Sequence, residues 1–470
     1  MRERLPYEDK AVEHYAEVCV EKGLVRQVGF APNVPAFVSE WILARTVPNG
    51  ILDEDARRRI STFIDRHLPS KDQREQLKGR LRQGETLTLL DQYSVNVDLR
   101  KNELRVQVPC LDEQRAGISQ HLVDVSPLLL GSGIWGVGKL TYIPPGEARP
   151  EGQIWVEDFK PMQTAALDLD LFCEGRAAFA LHEWRDLLIA SMGYNPTAYT
   201  PKQQMYLLTR LIPMVQERVN LIELAPKGTG KSFVYLNLSR QVRLISGGKV
   251  TAAVLFYNNA TNQPGLLTSF DVVVFDEAQT ISFDNPGEII GVLKDYLESG
   301  SFARGGKQKI AADASLVMLA NIDLDASRQP RNQNLFTALP PFLSETAFID
   351  RLHGILPGWE LPRISEASIA NSVGFKADFF GDVLHALRRR SGYTELAQRY
   401  NTVTGTNDVR DRNAILRLAA GYLKLLFPDY QVSGDEFREY CLAPAVQLRQ
   451  RVRDQLATLD PEYPRLVLGW

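Results

Sequence analysis

The fold of this chain is decided by the stretch Glu223-Leu224-Ala225-Pro226-Lys227-Gly228-Thr229-Gly230-Lys231-Ser232. It ends the apolar run 219–224 and leads into residues 233–236, Phe-Val-Tyr-Leu. This order predicts a strand, a glycine-rich loop and a helix. Backbone N–H groups of such a loop, together with the positive end of the helix, hold a triphosphate. The stretch therefore predicts an α/β fold with a nucleotide site.

The loop also supplies candidate side chains. Lys231 is expected to reach the β- and γ-phosphates, and Ser232 to ligate Mg²⁺. The residues expected to bind ATP here are Pro226, Lys227, Gly228, Thr229, Gly230, Lys231 and Ser232. The usual motif begins with glycine where this chain has Ala225, and alanine fits only if its φ angle is negative. A glycine turn with an exposed lysine is the alternative interpretation.

A second motif lies at residues 271–277, which read Asp-Val-Val-Val-Phe-Asp-Glu. A continuous apolar run suits a strand buried on both faces of a parallel sheet. Carboxylates at the carboxyl end of such a strand lie where open α/β sheets bind ligands. Asp276 is therefore expected to hold the Mg²⁺ shell, and Glu277 to polarise the attacking water.

Three further residues are candidates because of their order along the chain. Asn321 follows the apolar run 316–320 and is expected to sense the γ-phosphate. Arg351 is expected to reach the nucleotide of a neighbouring subunit, and Arg410 to reach a nucleotide from a lid. The alternatives are a strand cap for Asn321 and surface ion pairs for the two arginines.

The chain divides into four predicted regions. Residues 1–85 form a helical amino-terminal domain, in which a DNA contact is left open. Residues 86–158 form a small β-domain, because alternating valines and leucines around residues 95–108 indicate a hairpin. An OB-like barrel that binds single strands and a structural collar are both compatible with this domain. Residues 159–375 form the ATPase core, and residues 376–470 form a helical lid and the C-terminal helices.

Composition indicates a soluble cytoplasmic protein. The chain has 470 residues, 44% of them hydrophobic, and a net charge of −3, so any nucleic-acid contact must come from a local basic patch. Its four cysteines and six histidines are dispersed, and none is predicted to bind a metal. No apolar run approaches the ~20 residues of a membrane span.

The order of these motifs is that of an AAA+ ATPase, and the chain resembles the BrxL family, the Lon-related ATPases of bacterial BREX anti-phage systems. The resemblance runs from about residue 85 to about residue 455. It is carried by residues 133–138, 159–161, 184–196, 225–232, 244–249, 255–258, 271–277, 300–305, 348–353 and 357–360. Residues 300–321 also resemble MCM-type helicases, which share this AAA+ branch.

The resemblance implies a motor that uses ATP and Mg²⁺. It implies a homo-oligomer, either a hexamer or a pair of stacked hexamers, that encircles duplex DNA and blocks phage replication, with other BREX components as further partners. In the MCM-like branch, the insertion that matches residues 302–313 projects into the ring pore and touches DNA phosphates. Arg304, Lys307 and Lys309 are the matching candidates here, and a solvated loop is the alternative.

One departure from the family is large. BrxL proteins typically carry a further Lon-protease-like domain with a Ser-Lys pair, whereas this chain ends at Trp470, so peptidase activity is not expected of it. The difference is either a truncation or a natural short form. Two rival functions stay open: an ATP-dependent Lon-like protease or unfoldase component, and a non-motor DNA-binding scaffold gated by ATP.

Overall fold

Contacts within the computed structural model separate the chain into two packing units. The first unit combines residues 1–23 with residues 167–470, and the second comprises residues 24–166. The division into four regions made from the sequence stays a prediction. The structure describes residues 4–28, 36–47, 52–69, 71–98, 102–130, 133–146, 150–162, 167–258, 263–303 and 309–470.

Helices and strands alternate through much of the chain, which confirms the predicted α/β class. The strands of the described residues are β1 (Cys19–Glu21), β2 (Leu87–Asp98), β3 (Glu103–Val108), β4 (Glu113–Ile118), β5 (Ile134–Ile143), β6 (Gln153–Pro161), β7 (Leu221–Ala225), β8 (Val242–Val250), β9 (Tyr257–Asn258), β10 (Gln263–Pro264), β11 (Val272–Phe283), β12 (Ser301–Phe302), β13 (Ile310–Ala311), β14 (Ser315–Asn321), β15 (Gly354–Pro357) and β16 (Val373–Phe375). The helices are α1 (Pro6–Tyr15), α2 (Lys22–Val28), α3 (Ala36–Thr46), α4 (Glu54–His67), α5 (Arg74–Arg82), α6 (Gln120–Val125), α7 (Leu169–Gly175), α8 (Leu181–Ser191), α9 (Pro201–Thr209), α10 (Ile212–Val215), α11 (Lys231–Asn237), α12 (Ala252–Leu255), α13 (Leu266–Ser269), α14 (Pro286–Ser299), α15 (Thr346–Ile349), α16 (Ala377–Arg389), α17 (Tyr393–Arg399), α18 (Val409–Leu426), α19 (Gly434–Glu436) and α20 (Ala443–Leu459).

A five-stranded parallel sheet forms the centre of the first unit. Its strand order is β15-β7-β14-β11-β8. β7 and the first residues of β14 and β11 are buried, as expected for apolar strands of a parallel sheet that is covered on both faces. The register places Asn321 beside Ala225 and Phe275 beside Met318. Because the strands are parallel, Ala225, Asn321 and Asp276 lie at the same edge of the sheet. This edge is called the carboxyl edge below.

Residues 1–23 pack against the rest of the first unit. β1 pairs antiparallel with β16, and the Tyr7 hydroxyl donates a hydrogen bond to Ser372 Oγ at 2.8 Å. The Glu8 carboxylate accepts one from the Val373 N–H at 2.7 Å. Tyr15 belongs to an aromatic cluster whose other members include Phe172, Phe179, Trp184 and Phe375. Both main-chain pairing and aromatic packing therefore hold residues 1–23 within the first unit.

Residues 376–470 are largely helical, as expected from the sequence. Asp408 is the N-cap of α18, and its carboxylate accepts a hydrogen bond from the Arg410 N–H at 2.8 Å. A capping box begins α19: Ser433 Oγ accepts a hydrogen bond from the Glu436 N–H, and the Glu436 carboxylate accepts one from the Ser433 N–H. Within the described residues, none of the helices combines the length and apolar character that crossing a bilayer requires.

The second unit contains a closed five-stranded barrel of order β2-β3-β4-β6-β5. β2 pairs with β3 so that Val95 faces Val106 and Val97 faces Leu104. The predicted hairpin is therefore confirmed, although residues 99–101 of its turn lie outside the described residues. The barrel interior holds buried side chains that include Leu89, Tyr93, Val106, Val108, Leu111, Ala116, Leu140 and Val156.

Replacing Gly117 by alanine is expected to destabilise the barrel. A Cβ at this position of β4 would lie 2.2 Å from the ring of Trp155, and overpacking of this kind costs about 1–3 kcal/mol. Calorimetry of the full chain should show the barrel unfolding at a lower temperature. Gly79→Ala is the matched control, since nothing lies within 4 Å of a Cβ there and alanine inside a helix stabilises by about 0.5–1 kcal/mol. An unchanged transition for Gly117→Ala would contradict the packing described.

Candidate functional site

The glycine-rich loop connects β7 to α11 as predicted. Gly228 and Gly230 have φ angles of 85° and 72°, in the left-handed region that favours glycine. Ala225 is the buried last residue of the extended strand β7, so it takes up no such conformation. Its methyl group has room because residue 358 is glycine: a Cβ on Gly358 would lie 2.5 Å from that methyl carbon. The departure from the usual motif at Ala225 is therefore accommodated without backbone strain.

Lys231 lies at the carboxyl edge of the sheet and contacts the end of β14. Its ammonium donates a hydrogen bond to Asn321 Oδ1 at 2.8 Å, and the side chain is largely buried. Burial lowers the pKa of Lys231, while the nearby carboxylates of Glu223 and Asp276 act in the opposite direction. The structure thus brings together a lysine and an amide that the sequence nominates separately, with Asp276 of the second motif close by.

The acidic pair lies in β11, the neighbour of β14. The Asp276 carboxylate accepts a hydrogen bond from the Glu277 N–H at 2.9 Å. Glu277 is exposed and has a φ of 51°, and the pairing of β11 with β8 is interrupted between Asp276 and Ile281. A non-glycine residue in this conformation costs about 1–3 kcal/mol, and such strain clusters at functional sites. Glu277 therefore does not pair with β8, and its side chain is exposed.

The other loop candidates differ in exposure. Lys227 and Gly228 are exposed, whereas Pro226, Gly230 and Ser232 are half-buried. Thr229 is buried, and its hydroxyl donates to the Pro226 carbonyl at 3.3 Å. Ser232 follows Lys231 in the first turn of α11. The loop therefore offers main-chain N–H groups and two lysines of contrasting exposure.

Arg351 and Arg410 lie at a different place. Arg351 precedes β15, whose first residue, Gly354, pairs with Leu221 at the start of β7. Arg351 Nε lies 3.3 Å from the carboxylate of Glu298, and Arg410 Nη2 lies 2.9 Å from the same carboxylate. This is the amino edge of the sheet, about 13–17 Å from the glycine-rich loop by the length of β7. The structure brings the two arginines together and separates them from the loop of their own chain.

Arg410 also contributes to a buried ionic cluster. Its Nη1 lies 2.6 Å from the carboxylate of Asp350, which Arg449 contacts from the other side at 3.0 Å. The neighbouring carboxylates raise the pKa of Arg410 in spite of partial burial, which acts to lower it. Ion pairs with Asp350 therefore fix the guanidinium groups of Arg410 and Arg449 at the amino edge of the sheet.

A buried pair behind the loop is absent from the sequence-based candidates. Arg210 Nε and Nη2 donate to the two carboxylate oxygens of Glu223 at 3.0 and 2.6 Å. Neither residue has more than 2% of its side chain exposed. Burial alone would lower the pKa of Arg210, but the Glu223 carboxylate more than reverses this effect. The available signal is Glu223 itself, a carboxylate within an otherwise apolar strand, because such a group needs a buried cation.

The predicted DNA-contacting residues are only partly described. β12 and β13 pair antiparallel on either side of residues 303–309. Lys309 is exposed, whereas Arg304 and Lys307 lie outside the described residues. The structure thus shows the two paired ends of this insertion and one of its three candidate cations, Lys309.

Comparison with known families bears on the whole of this site. A family model described as "Lon-like protease BrxL-like, ATPase domain" matches residues 154–468, more than half of the chain. This chain belongs to the BrxL family. A second model, described as the N-terminal region of the BREX system Lon protease-like protein BrxL, matches residues 13–142. The predicted family is confirmed, and the matched BrxL ATPase domain contains every candidate from Pro226 to Arg410.

Two curated BrxL relatives extend the comparison along the chain. The chain is 33% identical over 449 residues to the Lon-like protease BrxL of Bacillus cereus (strain H3081.97), covering 94% of this chain and 65% of that protein. It is 32% identical over 450 residues to the Lon-like protease BrxL of Escherichia coli O9:H4 (strain HS), covering 95% and 64%. The chain therefore spans about two thirds of the length of these BrxL relatives.

Proposed function

We propose that this chain is an ATP-hydrolysing subunit of an AAA+ ring motor. One observation carries the proposal: Lys231 contacts Asn321 at the carboxyl edge where the Asp276–Glu277 pair also lies. Phosphate binding and water activation require these groups at such an edge. Membership of the BrxL family, with its ATPase domain, supports the same conclusion. The sheet unit is then a P-loop core with residues 376–470 as its lid, and the barrel is OB-like.

Each residue at the carboxyl edge has one task in this proposal. The N–H groups of residues 227–230 bind phosphate oxygens, and Lys231 exchanges the Asn321 amide for the β- and γ-phosphates. Asn321 is then free to face the γ-phosphate. Glu277, exposed and not paired with β8, orients the attacking water and accepts its proton.

Ser232 and Asp276 are the proposed holders of Mg²⁺. Both present oxygen atoms, which a hard cation prefers, and Mg²⁺ at phosphate sites is usually held by one or two protein oxygens plus the phosphates. Burial lowers the pKa of Lys231, and the Asp276 carboxylate is near enough to oppose that lowering, so it lies within electrostatic reach of the phosphate site. Bound there, the ion would neutralise charge on the transferred phosphoryl group.

Arg351 and Arg410 are proposed to serve the nucleotide of an adjoining copy. They lie at the edge opposite the glycine-rich loop of their own chain. A guanidinium supplied by a neighbouring subunit stabilises the charge that develops during phosphoryl transfer. A site completed in this way needs a homo-oligomer, and we propose a hexamer or two stacked hexamers.

The proposed substrate of the motor is duplex DNA. Arg304, Lys307 and Lys309 would contact DNA phosphates in the pore, with affinity that falls steeply as salt rises. Support comes from the antiparallel pairing of β12 with β13, which shows that the chain reverses direction between these two strands. The proposed role is to block phage replication in the bacterial cytoplasm, with other BREX proteins as partners.

Electron microscopy tests this proposal most directly. The full chain is imaged with Mg²⁺ and a non-hydrolysable ATP analogue, with and without duplex DNA. Closed rings with the duplex in their pore are expected, and nucleotide density should lie between the loop of one copy and Arg351 of the next. Particles that stay single, or rings that exclude the duplex, would refute the corresponding element of the proposal.

Arg351→Ala is expected to lower ATP turnover about 1,000-fold while leaving ATP binding intact. Mixing Arg351→Ala with Glu277→Gln should restore some of the turnover, because a mixed ring joins an intact loop with an intact arginine at some seams. Phosphate release from each variant and from the mixture measures this. Arg389→Ala, an exposed arginine outside the cluster, is the control. A mixture no more active than its components would rule out the shared site.

A further inference from the structure

The buried arginine behind the glycine-rich loop has donors to spare after binding Glu223. Arg210 Nη2 also donates to the Thr229 carbonyl at 3.2 Å, and its Nη1 donates to the Tyr194 hydroxyl at 3.0 Å. The Tyr194 hydroxyl in turn donates to the Gly230 carbonyl at 2.9 Å. One guanidinium thus holds two successive carbonyl groups of the loop, the first directly and the second through Tyr194.

We infer that Arg210 and Tyr194 are positioning residues that aim the N–H groups of the loop at a phosphate. In a trans peptide unit the C=O and the following N–H point in opposite directions. Holding the Thr229 carbonyl inward therefore turns the Gly230 N–H outward, and holding the Gly230 carbonyl does the same for the Lys231 N–H. The inference rests on the proposed nucleotide site and assigns residues that preorganise it.

Stability alone gives little reason for this arrangement. Replacing a buried ion pair by apolar residues of similar size is often neutral or stabilising. The fork of Arg210 instead matches a set of acceptors that includes both Glu223 oxygens, one loop carbonyl and one phenol. A lysine offers neither the planar fork nor as many donors. The hydrogen bonds of Arg210 therefore indicate that it positions the glycine-rich loop, more than that it stabilises the core.

Glu223 completes the arrangement by keeping the guanidinium charged and oriented. Both of its oxygens are engaged by Arg210. The carboxylate also lies close enough to Lys231 to oppose the lowering of its pKa that burial causes. With Arg210 in place, Lys231 contacts Asn321 instead. Without Arg210, an unpaired buried carboxylate would compete with the phosphate for Lys231.

Tyr194→Phe tests the inference because it deletes only the bridging hydroxyl. Amide hydrogen exchange at residues 228–232 of the nucleotide-free full chain is expected to rise about tenfold, and ATP affinity to fall about tenfold. Exchange in β7 and β14 should stay unchanged. Tyr199→Phe is the matched control: Tyr199 packs edge-on against Tyr194 with ring centroids 6.0 Å apart, and its hydroxyl makes no hydrogen bond to the loop.

Arg210→Lys is the second variant, and it should weaken ATP binding more than Tyr194→Phe does. If it fails to fold, Tyr194→Phe still decides. Unchanged loop exchange in Tyr194→Phe, or a rise spread across β7 and β14, would overturn the inference. A wild-type chain that binds no ATP would instead refute the proposed function, and the nucleotide-free exchange experiment separates the two failures.

Discussion

Lys231→Ala is expected to weaken ATP binding about a hundredfold or more, because two charge-assisted hydrogen bonds to phosphate are lost. Lys231 is the largely buried cation at the carboxyl edge of the sheet, and its ammonium is already bonded to a neutral amide that a phosphate can replace. Turnover should become undetectable in the same variant. Calorimetric titration with Mg-ATP and a phosphate-release assay measure the two effects.

Lys227→Ala provides the control for that experiment. Lys227→Ala keeps the N–H group that is proposed to bind phosphate and removes only an exposed ammonium, which gains little from a nearby charge. Its removal should change ATP affinity by less than about threefold on the same grounds. Equal ATP affinity in Lys231→Ala and wild type would refute a phosphate-binding role for this loop.

Glu277→Gln is expected to lower turnover about 100- to 10,000-fold, the usual contribution of a general base. ATP affinity should be retained, since Glu277 is exposed and makes no contact with Lys231 among the bonds of the described residues. The side chain keeps its shape and loses its charge, so the left-handed backbone at this position is undisturbed. Single-turnover phosphate release and equilibrium binding separate the two properties.

The same variant distinguishes a motor from a scaffold. A scaffold that uses ATP only for assembly would keep its function in Glu277→Gln, whereas a motor would lose it. Glu288→Gln, an exposed glutamate in α14, is the control for removal of a surface charge. Normal turnover in Glu277→Gln would remove this residue from the mechanism and point to another base.

The sequence predicts local structure around the site well because local patterns determine it. Alternation and apolar runs dictate the strands that contain Phe275 and Val106, and two glycines with Lys231 dictate the turn between β7 and α11. The sequence places Lys231 and Asn321 at the carboxyl ends of two strands and so at one edge of a parallel sheet. It does not predict their contact, because β14 lies beside β7 although β8 and β11 come between them along the chain.

Pairings between distant segments escape this kind of prediction. Arg210, the residue that follows α9, meets Glu223 of β7 only in the folded chain, and no periodic pattern marks the arginine. Arg410 opens a helix, which the sequence indicates, but its partners Asp350 and Glu298 come from elements 60 and 112 residues earlier. β1 is three residues long, too short for a pattern, and its partner β16 lies far along the other segment of the unit.

The pairing of β1 with β16 bears on how the chain can be dissected. Residues 1–23 and 167–470 pack as one body, so residues 24–166, which contain the barrel, interrupt that body along the sequence. A fragment begun at residue 167 would leave the aromatic pocket around Trp184 without Tyr15 and the β16 edge bare, and bare edges recruit other chains. Soluble preparations of the isolated ATPase portion therefore call for a short loop that rejoins the first 23 residues to residue 167.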